Sequence, residues 1–174
     1  MEQQIKQQIA ESVKSVRLPH YAEIPNVGLF LDQTAKYISE ALMPLQVGSL
    51  TGSMVSNYVK KGLISNPVRK QYDREQIAYL FFIAVAKSVL TLEEIQWMIR
   101  LPKASYSPET ADEYFRQELQ NILFYVFGLK EELEQVGQEN TDEKNILRNT
   151  IIAVAHKAYL NKTLSVLQAH GKEE

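Results

Sequence analysis

Cysteine is absent from this 174-residue chain, which excludes a disulfide framework, a thiolate zinc site and a cysteine nucleophile. The absence is compatible with a reducing cytoplasm, the location we expect. Gly (seven) and Pro (six) are few, which disfavours a turn-rich β fold and favours long helices. No long apolar run is present either. The longest, Ile77 to Ala86, has ten residues where a membrane span needs about 20, so it reads as a core helix and no membrane partner is expected. Met1 to Ser12, rich in Gln and Glu, has no apolar stretch of the signal-peptide kind. His20, His156 and His170 are the three histidines, and they show no HExxH or comparable ligand spacing. His156, set among alanines, is expected to be satisfied and partly buried. No Ser-His-Asp order, Gly-rich phosphate loop or paired-carboxylate setting stands out. These gaps argue against an enzyme, and no metal or cofactor is expected.

What is present begins with an ordinary apolar share of 45%, enough for a core in one large domain or two small ones. The charge is uneven. Residues 1–104 carry twelve cations against nine acids, a net of +3, whereas 105–174 carry seven against twelve, a net of −5. A basic front and an acidic rear suggest a nucleic-acid face at one end and a different role at the other. Within the front, Leu50 to Arg74 holds Lys60, Lys61, Arg69, Lys70 and Arg74 against the single acid Asp73. A local excess of this kind in a chain of net charge −2 is the footprint that phosphate binding leaves. A solvated surface is the alternative.

Leu50 to Ile99 carries the organising signals. Asp73 with Gln76, and Thr91 with Glu94, have the spacing of capping boxes. Thr51 can cap a polar helix, Gly52 to Lys61, which Gly62 stops before a short basic loop runs to Tyr72. Helix, glycine stop, basic loop and further helix is the layout of a winged helix-turn-helix, which sets its second helix in the DNA major groove. On that helix Ser53, Ser56 and Asn57 would face base edges, or simply keep it soluble. Tyr58 and Tyr72 could each donate a hydroxyl to phosphate or pack the wing onto the helix; packing is favoured for Tyr72 and open for Tyr58.

The wording of the stretch resembles the MerR class of transcription regulators over about 50 residues. The matching positions are Tyr58, Gly62-Leu63-Ile64, Pro67, Arg69, Tyr72, Leu80-Phe81-Phe82-Ile83 and Thr91-Leu92-Glu93-Glu94-Ile95. It departs from the class pattern at Ser56, where an Arg is usual, at Val89, where a Gly is usual, and in a shortened wing without Gly at its tip. Upstream, Leu18-Pro19-His20-Tyr21-Ala22-Glu23-Ile24-Pro25-Asn26 and Leu31-Asp32-Gln33 are similar to a domain-of-unknown-function family of low-GC Gram-positive bacteria (Firmicutes). That second likeness covers nearly the whole chain and implies no activity.

In chain order, Ile5, Ile9, Val13 and Val16 make one apolar stripe on a helix over 3–16. Pro19 and Pro25 then impose an extended connector, with Tyr21 and Ile24 holding it down. Phe30 to Met43 predicts the motif's first helix, stopped by Pro44. The link from Pro44 to Leu50 is longer than a tight helix-turn-helix loop. Arg74 to Val89 is apolar nearly all round and should sit at the centre of the core. Ser107 caps a helix opening on Pro108, and Thr141 caps a last helix ending at Gly171. The organisation we expect is therefore 1–28 as N-terminal helix and connector, 29–101 as an all-α winged helix-turn-helix domain, and 105–174 as an antiparallel helical hairpin. The hairpin would dimerise the chain. It leaves room for a small-molecule effector near Tyr114, Phe115, Phe124, Tyr125, Phe127, Tyr159 and Trp97, although an aromatic set is more often core.

The functional expectation is a homodimeric, sequence-specific binder of double-stranded DNA, a transcription regulator without catalysis. Its contacts would come from Ser53, Ser56, Asn57, Tyr58, Lys60, Lys61, Arg69, Lys70, Tyr72 and Arg74. The alternative is a protein–protein adaptor that keeps the fold but not the DNA.

Overall fold

A computed structural model describes residues 2–101, 105–137 and 141–170. The described chain is mostly helical: α1 Glu2–Glu11, α2 Leu31–Leu42, α3 Gly52–Lys60, α4 Arg74–Ala86, α5 Leu92–Arg100, α6 Pro108–Val126 and α7 Asp142–His170. One small antiparallel sheet pairs β1, Leu29–Phe30, with β2, Gln71–Tyr72. The expected helix over 3–16 is regular only to Glu11. Beyond it the Ser12 hydroxyl donates to the Ile9 carbonyl at 2.6 Å and the backbone turns to shorter i→i−3 bonds, a competition typical of Ser in a helix. The stripe survives, since Ile9, Val13 and Val16 are all buried.

Local signals set the helix starts. Asp73 Oδ1 accepts from Gln76 N at 2.8 Å while Gln76 Oε1 accepts from Asp73 N at 2.9 Å, the reciprocal capping box. Thr91 and Glu94 repeat it. Thr51, Ser107 and Thr141 accept from the amides of Met54, Thr110 and Lys144. At the end of α3, Leu63 N donates to Tyr58 O and Gly62 N to Val59 O, both at 2.9 Å, with Gly62 at φ +72°. This is a Schellman stop, and its left-handed position favours glycine.

The core is continuous. Ile77, Leu80, Ile83 and Ala84 are fully buried on α4, which packs against α2, α5, α6 and α7. Apolar side chains from α1 through α7 belong to one cluster, so the packing does not break near residue 101; 102–104 of the expected boundary lie outside the described residues. The long link between α2 and α3 is fastened rather than loose. Ser39 Oγ meets both Leu50 N and Leu50 O at 3.0 Å, and Lys87 Nζ donates to Ser49 O.

The rear pair of helices is not the antiparallel hairpin expected. Lys144 Nζ lies 5.2 Å from the Tyr114 ring centre, Arg148 Nη1 donates to Glu118 Oε1 at 2.7 Å, and the Phe127 and Tyr159 rings stand 5.3 Å apart. Partner numbers rise together along both helices, so α6 and α7 run parallel. The connector makes this feasible by returning along α6. Asn121 Nδ2 donates to Glu134 O at 2.8 Å and Lys130 Nζ to Asn121 Oδ1 at 2.9 Å. Extended chain advances about 3.3 Å per residue against about 1.5 Å in a helix, so roughly ten connector residues easily retrace the turns of α6. His156 differs as well: it is exposed on α7, outside the packed Ile151–Val154–Ala155–Ala158 face. The expected end of α7 at Gly171 lies outside the described residues.

Candidate functional site

The stretch singled out for function divides into an outward set and an inward set. On α3, Val55 and Tyr58 point into the core, at 0% and 3% exposure. The opposite stripe carries Ser53, Asn57 and Lys60, all exposed, with Ser56 half-buried beside them. The i, i+3, i+4, i+7 spacing sets these four on one helix face. Lys61 follows, also exposed. Tyr58 is thereby resolved: its ring is core, and burial pushes its phenol pKa up. Tyr72 is core too, at 4% exposure. Both rings belong to the core cluster.

Arg69 and Lys70 occupy a turn of unusual backbone. Val68 and Gln71 exchange backbone hydrogen bonds at 2.9 and 3.1 Å, which closes a hairpin with two central residues. Those residues have φ of +52° and +64°, the left-handed pair of a primed hairpin turn, where Asn-Gly is the usual choice. Each non-glycine residue there costs about 1–2 kcal/mol. Both side chains are exposed. The short basic loop read in the sequence is this tight turn, with two cations where Asn and Gly would be least strained.

Arg74 does not join the outward cations. Its Nε donates to Ile24 O at 2.9 Å, its Nη2 to Ala22 O at 3.2 Å, and its guanidinium lies over the Tyr21 ring at 5.7 Å. It pins the proline-bounded connector onto the start of α4, so we remove it from the expected contact set. Gln76 likewise positions a distant segment. Besides its cap, its Nε2 donates to the Ser65 and Asn66 carbonyls at 2.9 and 3.3 Å and so anchors the loop leading to the turn.

A polar cluster on α6 went unread in the sequence. Asp112 Oδ2 accepts from Arg116 Nε at 2.9 Å, both side chains being nearly inaccessible. Arg116 also donates to Glu113 and, through Nη1, lies 3.1 Å from His20 Nδ1. Burial holds the Asp112 carboxyl above its ordinary range despite Arg116. One turn on, fully buried Glu118 receives Tyr114 Oη at 3.0 Å and Arg148 at 2.7 Å through one oxygen. Among the described residues its other oxygen has no hydrogen-bond partner. The i, i+4 spacings Asp112–Arg116 and Tyr114–Glu118 were the readable signal. Of the aromatic set, Tyr114 and Phe115 line a cavity, Phe127 packs edge-on to Tyr159, and Tyr125 and Trp97 are exposed.

A family model described as a domain of unknown function, DUF1836, matches residues 19–118. The chain belongs to that family. No curated protein and no solved structure matches. The DUF1836 span opens at Pro19, beside His20, and closes at Glu118, just past Arg116. Its two ends thus meet through the His20–Arg116 contact, and the family unit runs through the first half of α6 rather than stopping at residue 101. Among the described residues no group of three His, Asp or Glu side chains is arranged to hold a metal, and no helix is long and apolar enough to cross a membrane.

Proposed function

We propose that this chain is a sequence-specific DNA-binding protein of MerR-like winged-helix type, a transcription regulator that acts as a homodimer. The observation that carries the reading is the two-residue turn at Arg69 and Lys70. A strained backbone that presents two exposed cations persists against its own conformational preference, and such strain collects at functional positions. In this reading α2 and α3 form the helix-turn-helix, the outward stripe of α3 enters the major groove, and the turn is the wing tip on phosphate. Lys60, Lys61, Arg69 and Lys70 would neutralise phosphates and release counterions, so affinity should fall steeply with salt. Dimerisation fits the far end of α7, where Leu160, Leu164 and Leu167 are about half exposed at the four-and-three spacing of a coiled-coil seam. A two-fold dimer would hold two α3 helices about 34 Å apart, one turn of DNA.

The test is a binding titration on random duplex at low and moderate salt. Lys60→Glu combined with Lys61→Glu should abolish binding while helix content by circular dichroism stays unchanged. Retained binding in that double variant would remove the assignment.

One observation favours the adaptor reading. Trp97 is 56% exposed on α5, next to Gln96, whose Nε2 donates to the Lys61 and Gly62 carbonyls. An exposed Trp bordering a basic helix end is the kind of anchor that protein interfaces use. Absence of any duplex binding by the wild type at low salt would move the assignment to that partner class.

A further inference from the structure

We propose that the cavity enclosed by α4, α5, α6 and α7 is a binding site for a small, uncharged, single-ring aromatic molecule. The cavity holds about 170 Å³ and is open on one side. Native cores hold few voids larger than one water, and a dry apolar cavity of about 150 Å³ is enough to take up benzene. Its volume therefore suits a ring of roughly six to nine heavy atoms by the same comparison. The wall is mostly carbon: Tyr79 and Phe82 from α4, Met98 from α5, Phe115 from α6 and Leu147 from α7 all face it. Phe82 and Phe115 already stand edge-to-face at 5.5 Å, which leaves ring faces and edges for a third aromatic group in the geometries such rings prefer.

The charge of the occupant follows from the charged groups in the wall. Asp112 is paired with buried Arg116. Lys144 sits over the rings of Tyr106 and Tyr114, at 5.8 and 5.2 Å. Glu143 also lines the wall, so an anion would meet its carboxylate, and any ionic ligand would have to shed its own hydration, which is expensive in an apolar wall. A neutral ring meets neither cost. Because α4 also carries the caps and anchors of the α3–β2 segment, an occupant would tie that segment to the rear helices. The site stands whether or not the chain binds DNA.

The experiment uses the purified full chain with fluorobenzene and toluene as neutral probes, and benzoate and benzylammonium as charged counterparts of similar size. Fluorine NMR reads fluorobenzene binding, and thermal unfolding reads all four. A ligand that binds only the folded state, at about a hundredfold excess over its Kd, should raise Tm by roughly 5 °C or more for a chain of this size. The neutral probes should do so and the charged pair should not. Ala111→Phe, which projects a ring into the cavity from α6, should abolish the shift. Met98→Ala, which enlarges the space, should extend binding to naphthalene. No shift with either neutral probe, a shift that survives Ala111→Phe while naphthalene is refused by Met98→Ala, or preference for a charged probe would each overturn the proposal.

Discussion

Tyr114 shows how much one side chain can be shaped by its surroundings. Burial first, then the neighbouring Glu118 charge, pushes its phenol up to about 12. A phenol whose folded value lies above its unfolded value of 10 adds stability that is fully present below pH 10. That stability is lost as the pH rises through about 12. Urea unfolding at neutral pH and near pH 11 should therefore show a smaller alkaline loss in Tyr114→Phe than in the wild type. At neutral pH the same variant should lose about 1 kcal/mol, since Glu118 gives up one of its two donors. An equal alkaline loss in both proteins would show that Tyr114 does not carry the effect. Arg74 teaches the complementary lesson. In the sequence it is one more cation in a basic run, yet its donors are taken by carbonyls about 50 positions upstream. No window on the sequence joins those two places, so its pinning role was not readable.

At the scale of elements, the starts and stops were readable because their chemistry closes within a few residues. The caps at Asp73, Thr91, Ser107 and Thr141 and the stop at Gly62 all depend on neighbours three to five positions away. Gly48 belongs to another class. It lies at φ +84°, and a Cβ there would stand 2.8 Å from the Ala84 carbonyl of α4. Gly48→Ala should cost about 2 kcal/mol or more, backbone strain and close approach acting together. Gly62→Ala, which meets only a flexible Gln96 side chain at 3.5 Å, should cost about 1 kcal/mol. Chemical denaturation of the pair orders them, and equal losses would count against the close approach. The hairpin turn offers a sharper trade. Replacing Arg69→Asn and Lys70→Gly should stabilise the protein by about 1 kcal/mol, because the turn then has the residues its backbone favours. Under the proposed DNA-binding function the same change should weaken duplex binding, a cost that stabilising substitutions at strained sites often bring. Higher stability with undiminished duplex affinity would detach the turn from DNA contact.

Over the whole molecule, the parallel course of α6 and α7 has a consequence for assembly. The 29 residues of α7 outrun the 19 of α6, and the surplus carries the half-exposed Leu160, Leu164 and Leu167. An antiparallel hairpin would have set that end beside the entry to α6. The parallel arrangement carries it past the other end, away from the Pro108 start. If the proposed homodimer forms through α7, Leu160→Glu with Leu164→Glu should convert it to a monomer in sedimentation equilibrium without loss of helix content. A mass unchanged by the double substitution would remove α7 as the seam.

Composition, periodicity and capping chemistry were sufficient for a mostly helical chain, for the central place of α4 and for nearly every helix start, because each rests on contacts between near neighbours. They also placed Ser53 and Asn57 on the outward side of α3 and left Tyr58 open, since its amphipathic ring suits either. Folding in three dimensions settled that ring, the direction of α6 against α7, the pairing of β1 with β2 and the partners of Arg74 and Arg116. Each of these depends on segments tens of residues apart, brought together by burial of one shared core.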